Sequence, residues 1–235
     1  MAEHRDLLIE IGTEEIPPGV LFSLIADFTR GLQQRLEVAQ LGHAALQSFA
    51  TPRRLAVLIQ ALSEQQPERV QTRRGPAIQA AFDAEGQPTR AAHGFARSCG
   101  VAVEALQRLE TDKGAWLVHE TVEPGQSPTA LIPAMVEDVL GAVPLPKRMR
   151  WGDLDSEFIR PVHWVVLLFG TEVVAGQVLG IPVGRDTYGH RFHCPGPLQL
   201  ESASDYVERL RSARVMVDMN ERRQQIQTQV TVQAE

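Results

Sequence analysis

One piece of sequence grammar, used twice, constrains the fold of this chain more than anything else in it. Residues 158–168, Phe-Ile-Arg-Pro-Val-His-Trp-Val-Val-Leu-Leu, repeat the plan of residues 49–59, Phe-Ala-Thr-Pro-Arg-Arg-Leu-Ala-Val-Leu-Ile. Each has a Phe, a Pro three residues later, a polar pair or near-pair, and an apolar run long enough for a buried strand. A short apolar run (Leu7-Leu8-Ile9, then Trp116-Leu117-Val118) and an amphipathic helix opening on proline precede each copy. In the first helix Val20, Leu21, Leu24, Ile25, Phe28, Leu32 and Leu36 form a single stripe. In the second, Ser127 is placed to cap and Pro128 to take the first helical position, ahead of Leu131, Ile132, Met135, Val136, Val139 and Leu140. This predicts an α+β fold built from two similar strand–helix–strand(–strand) units, with Val57 and Ile59 in the places of Val166 and Leu168. The alternative is a chance likeness between two common strand–helix–strand patterns.

Composition then divides the chain. The first unit spans 1–62, its strand region 46–62 broken at Thr51-Pro52, where proline cannot donate to a ladder. Residues 63–114 turn polar and rich in Ala, Gln and Arg, with helix-compatible pieces at 89–97, stopped by Gly100, and at 103–109. They read as a helical insertion entered through Gly75-Pro76 and Gly86-Gln87-Pro88 turns. The second unit covers 115–195, with a hairpin at Gly170-Thr171 and a His-, Gly- and Pro-dense loop from 184 onward. From 196 to 235 a truncated region begins: a helix over 202–211, a short strand at Val215-Met216-Val217, and a polar helix from Met219 that lacks an apolar face.

With 235 residues, 43% hydrophobic and 22% charged, the chain has the makeup of an ordinary soluble globular protein. It lacks an apolar run of membrane-spanning length and a signal-peptide plan, so a cytoplasmic location without membrane contact is expected. Cys99 and Cys194 show no pairing logic, in keeping with a reducing compartment. A formal net charge of -6 rules out a globally basic surface, so any polyanion must be met by a local patch. Arg53-Arg54, Arg73-Arg74, Lys147-Arg148 with Arg150, and Arg222-Arg223 are the clusters available, though an exposed Arg pair is more often solvated decoration.

Chemistry is hard to find. His190, His193 and Cys194 are suitable zinc ligands, but a structural zinc site needs four ligands in spaced pairs, and the second thiol is far away in sequence. Neither a Gly-rich phosphate loop nor a Gly-x-Ser-x-Gly turn occurs. Glu14-Glu15 beside a helix start is explained by the helix dipole alone, or else meets a partner's cation.

Seven stretches, in order, resemble the N-terminal signatures of the bacterial glycyl-tRNA synthetase β subunit family. They are Ile9-Glu10-Ile11-Gly12-Thr13-Glu14-Glu15-Ile16-Pro17-Pro18, Thr51-Pro52-Arg53-Arg54-Leu55-Ala56, Arg73-Arg74-Gly75-Pro76, Ala81-Phe82-Asp83, Met149-Arg150-Trp151-Gly152, Arg160-Pro161-Val162-His163 and Gly189-His190-Arg191-Phe192. Ile16 stands where the family usually has Leu, and family members run far longer, carrying an HD-type domain and an anticodon-binding domain. The resemblance implies an α2β2 glycine–tRNA ligase of the class II type. Its α subunit uses ATP and Mg to activate glycine, and its β subunit recognises tRNA(Gly). The present region would then bind tRNA and support assembly, with no catalytic centre, cofactor or metal of its own. Arg53, Arg54, Arg148, Arg150, Arg160, His163, His190 and Arg191 are the candidate tRNA contacts. Two other readings compete: a purely structural domain, and an editing-type hydrolase using His163, His190 and Glu14 as acid–base groups. Against editing, a site sized for glycine excludes larger amino acids without a second sieve.

Overall fold

The computed structural model describes residues 4–112 and 114–234, a mixture of helices and sheets of the α+β kind. In chain order, β1 (His4–Thr13), α1 (Pro18–Val38), β2 (Ala45–Thr51) and β3 (Arg54–Ser63) come first. An excursion follows with β4 (Arg69–Ala77), α2 (Ile78–Ala81), α3 (Arg90–Cys99), β5 (Gln107–Thr111) and β6 (Gly114–Glu123). The chain then forms α4 (Pro128–Ala142), β7 (Met149–Arg150), β8 (Glu157–Phe158), β9 (Val162–Phe169), β10 (Glu172–Val173), β11 (Gln177–Val178), β12 (Ile181–Gly184), β13 (Asp186–Tyr188), β14 (Pro197–Gln199), α5 (Tyr206–Ser212) and α6 (Met219–Ala234). Two compact units result: one from residues 1–66 and 126–235, the other from 67–125.

The larger unit is built on a sheet ordered β11-β12-β9-β1-β3-β2, with β10 also paired to β9. β1 is central and antiparallel to both β3 and β9, and β12 runs parallel to β9. Both faces of β1 are covered, which is why its sequence reads as a near-continuous apolar run instead of an alternation. Leu7, Ile9 and Ile11, with Leu55, Val57, Ile59, Val165, Leu167 and Phe169, pack beneath the apolar stripes of α1 and α4. The opposite face, carrying Leu8, Ala56, Leu58, Trp164, Val166 and Leu168, is covered by Leu200, Ala203, Tyr206, Leu210 and Val217. Each fully buried Leu or Ile contributes roughly 1.5–3 kcal/mol of apolar transfer, so both faces stabilise the sheet. The helices begin as their sequence suggests, α1 with proline in its first turn and α4 with Ser127 accepting from Thr129 N.

The smaller unit is an antiparallel sheet β4-β6-β5 with α2 and α3. Thr89 caps α3 by accepting from Ala91 N, and Gly100 ends it in the left-handed conformation at φ 71°. Arg74 lies 3.7 Å from the centroid of the Trp116 ring, and Gly75 leaves room for Phe95, whose ring would meet an added Cβ at 2.4 Å.

Four sequence expectations are corrected. Residues 63–114 are not a helical insertion, because three strands dominate the excursion and 103–109 forms one 3-10 turn and β5 instead of a helix. Trp116-Leu117-Val118 does not open a second unit beside α4, since β6 pairs with β4 and β5. Val57 and Ile59 do not correspond to Val166 and Leu168: the first two face α1 and α4, the others the opposite side, and a one-residue offset reverses every side chain of a strand. Val215-Met216-Val217 forms no strand, being an irregular connection that buries Val217 in the cluster with Tyr206 and its neighbours.

Candidate functional site

At the end of β1 the apolar run is interrupted by one carboxylate. Glu10 is opposite Ala56 on one neighbouring strand and Val166 on the other, so its side chain enters the core on the Tyr206 side and is 0% exposed. A charge there needs partners. Its Oε1 accepts from Thr187 Oγ1 at 2.8 Å and from Trp164 Nε1 at 3.2 Å, and meets Arg54 Nη1 at 3.3 Å. Arg54, 3% exposed, also donates to Thr187 Oγ1 and to the Tyr188 carbonyl. Burial pushes the Glu10 carboxyl above its ordinary range, and the opposing pull of Arg54, Thr187 and Trp164 does not cancel it. Burial likewise raises the Tyr206 phenol well above its usual value. Gly12 is required by this packing: a Cβ there would lie 1.9 Å from Trp164 Cε2. The network ties β1, β3 and β9 to β13, and so fixes the base of the β13–β14 hairpin.

That hairpin loop, 189–196, forms one wall of the site. Gly189 approaches the end of α5 closely enough that a Cβ would meet Ala213 Cβ at 2.8 Å, and His190 N donates to Ala213 O at 2.9 Å. His190 Nδ1 accepts from Phe192 N and His193 N at 3.2 and 3.3 Å, which closes a tight turn and presents Arg191 and Phe192 outward. The segment after β1 forms the second wall, through Thr13 N to Arg53 O at 2.8 Å, Glu14 N to Pro161 O at 3.0 Å and Ile16 N to Pro52 O at 2.6 Å. Glu14 thereby reaches His163 Nε2 at 2.9 Å, and Glu15 pairs with Arg191 at 2.8 Å. Two neighbouring cavities open here. One of about 370 Å³ is lined by Arg53, His163, Trp164, Tyr188, Arg191 and Cys194 among others. The second, of about 470 Å³, includes Glu15, Arg53, His190, Arg191, Phe192 and Arg214 in its lining. Trp164 and Tyr188 pack ring to ring, with centroids 4.8 Å apart.

The structure therefore gathers only part of the expected basic set. Arg53, His163, His190 and Arg191 border the paired cavities, and Arg160 joins them by donating from Nε to Glu15 O at 2.9 Å. Arg54 also borders the second cavity, but it is 3% exposed and its guanidinium is held by Glu10 in the core, so it is withdrawn as a surface contact. Arg148 is spent on the C-terminus of α4, donating to Gly141 O at 2.7 Å and Val143 O at 2.9 Å, where a cation complements unpaired carbonyls. Arg150 stands apart from both cavities, loosely paired with Asp155 at 3.7 Å. His163 and His190 line different cavities, so the acid–base trio considered for hydrolysis is not assembled around one centre. Glu10, Thr187, Tyr188 and Arg214 were not singled out by sequence reasoning. Glu10 alone carried a signal, as a carboxylate inside an apolar strand.

Comparison with known proteins gives the class: the matches are to a subunit of an aminoacyl-tRNA synthetase. The chain belongs to the glycyl-tRNA synthetase beta subunit family, whose model matches residues 7–235. It is 50% identical over 228 residues to the glycine–tRNA ligase beta subunit of Hahella chejuensis, covering 97% of this chain and 33% of the relative. With that of Chromohalobacter salexigens it shares 50% over 229 residues, 97% and 33% of the two chains. With that of Marinobacter nauticus it shares 48% over 232 residues, 98% and 34% respectively. The chain thus spans about a third of the length of the curated relatives it matches.

Proposed function

We propose that this region of the β subunit supports ATP-dependent attachment of glycine to tRNA(Gly) by contacting the tRNA and by taking part in assembly with the α subunit of an α2β2 enzyme in the cytoplasm. It has no catalytic centre, and ATP and Mg act through the α subunit. The observation that carries this reading is the convergence of Arg53, His163 and Arg191 around a cavity walled by Trp164 and Tyr188, on a face whose base is fixed by Glu10 and Arg54. Guanidinium groups meet phosphate, and aromatic faces stack on bases, so this chemistry fits RNA on an otherwise acidic chain.

The test is tRNA binding by the complete enzyme, with Arg53→Ala and Arg191→Ala, measured across a salt series. Each variant is expected to weaken binding and to flatten the logarithmic salt dependence by roughly 0.7–0.9 per lost phosphate contact. Unchanged affinity and slope in both variants would remove this face from the tRNA-binding surface.

A further inference from the structure

The second cavity holds a combination that packing and ion pairing leave unexplained. Phe192 is 79% exposed, a large apolar ring held in solvent by a turn with three hydrogen bonds, since Cys194 N also donates to His190 O at 2.8 Å. Its one ring contact among the described residues is with His190, centroids 6.1 Å apart, so most of the apolar ring stays in water and adds little to the stability of the fold. Around it, Arg54 is held by Glu10 in the core and Arg191 pairs with Glu15 at the surface. Arg53 and Arg214 make no side-chain hydrogen bond or ion pair among the described residues, and Arg53 Nε is buried as well as unpartnered. Arg214 is also held against its own backbone preference. It follows α5 at φ 63°, in the left-handed position that closes a helix through Val215 N to Leu210 O at 2.8 Å, a position ordinarily filled by glycine. Gln40, Ala61 and Leu179 share this backbone region, so what sets Arg214 apart is that its unpartnered side chain lines the second cavity.

We infer that Phe192, Arg53 and Arg214 form a subsite for one unpaired nucleotide of RNA, the base stacking on Phe192 and the phosphate lying between the two guanidiniums. This rests on the proposed tRNA-binding role and specifies its chemistry. A stacking ring beside a cationic path is how proteins hold single-stranded nucleic acid, whereas paired RNA buries its base faces and offers nothing to Phe192. The cavity, about 470 Å³, lies within the roughly 300–1,000 Å³ of small-ligand sites.

The test uses the complete enzyme with tRNA, an AMP competitor, and the variants Phe192→Ala, Phe192→Trp and Arg214→Gly. Phe192→Ala should weaken tRNA binding about ten-fold, as expected for the loss of one base stack, and Phe192→Trp should restore it. Arg214→Gly should weaken binding and lower the salt slope by roughly 0.7–0.9, while its melting temperature stays level or rises because glycine suits the backbone there. That opposite movement of stability and affinity is not produced by a structural role. If Arg53→Ala and Arg191→Ala impair tRNA binding but Phe192→Ala and Arg214→Gly do not, the tRNA-binding reading survives and the nucleotide subsite is refuted. Loss of subunit association in sedimentation, with tRNA affinity intact, would make Phe192 a protein contact and overturn the inference. Competition by AMP at concentrations comparable to tRNA would also overturn it, in favour of a free-nucleotide site.

Discussion

Glu10 and Glu15 sit on the same strand and its continuation, and each meets an arginine, yet the two pairs sit in opposite surroundings. Glu10 and Arg54 are sealed in the core, where Thr187 bonds both and Trp164 bonds Glu10 while Glu10 Oε2 and Arg54 Nε stay without a partner among the described residues; Glu15 and Arg191 face solvent at 61% and 52% side-chain exposure. In the core, desolvation makes each charge dependent on the other, so the pair acts as a latch between the sheet and the β13–β14 hairpin. At the surface, water screens the attraction and the same chemistry is worth little to stability, so under the proposed role Arg191 can exchange its carboxylate for a phosphate at small cost. Burial, and not the identity of the pair, divides the core arginine from the exposed one proposed above to meet tRNA.

The comparison breaks most sharply at Arg54. Arg54→Met should cost about 3–5 kcal/mol in denaturant unfolding, because Glu10 is left buried and unpaired. Adding Glu10→Leu to that variant should recover much of the loss, since an apolar replacement of both partners removes the uncompensated charge. If the single and double variants were equally damaged, the latch would owe its stability to packing instead.

A smaller effect appears with pH. Burial raises the Glu10 carboxyl above 4.5, so the folded state holds its proton more tightly than the unfolded chain. Stability contributed at this position is therefore greatest below the ordinary Glu range and declines as pH rises from there through the folded value. The stability of the parent relative to Glu10→Gln should fall across that window. A difference that grew with pH would mean that Arg54 overcomes burial.

The smallest effect belongs to the exposed pair. Glu15→Gln should shift unfolding free energy by no more than about 1 kcal/mol, and should tighten tRNA binding by releasing Arg191 and removing a repelling carboxylate. A loss comparable to that of Arg54→Met would abolish the distinction between the two pairs.

Much of the larger unit was legible because its periodicities are strong. β1, α1, the break at Pro52 and the hairpin at Gly170 follow from apolar runs, stripes and turn residues that act locally. The excursion was misread because β5 is exposed at every residue, leaving no inside–outside alternation, and because no local signal tells β6 to pair with β4 instead of a strand beside α4. The site was half legible for a similar reason. A basic motif shows that arginines are present, but Arg53 and Arg54 are adjacent letters with opposite fates, and Arg148 answers to the carbonyls of a helix end. Which arginine is consumed depends on carboxylates and carbonyls distant in sequence.

The excursion leaves and rejoins the larger unit at Gln66 and Gln126, where Gln66 N donates to Gln126 O at 3.0 Å and Gln126 N to Gln66 Oε1 at 3.2 Å. The contour between β3 and α4 is long, yet its ends are pinned together. Loop-closure entropy depends on the length of chain left free, and a span whose ends already touch adds almost none. For the search that brings β9 alongside β1, the polymer behaves as though the excursion were a single short tether, which shortens the effective loop between the two strands and lowers its closure cost by a fraction of a kcal/mol, on the order of RT.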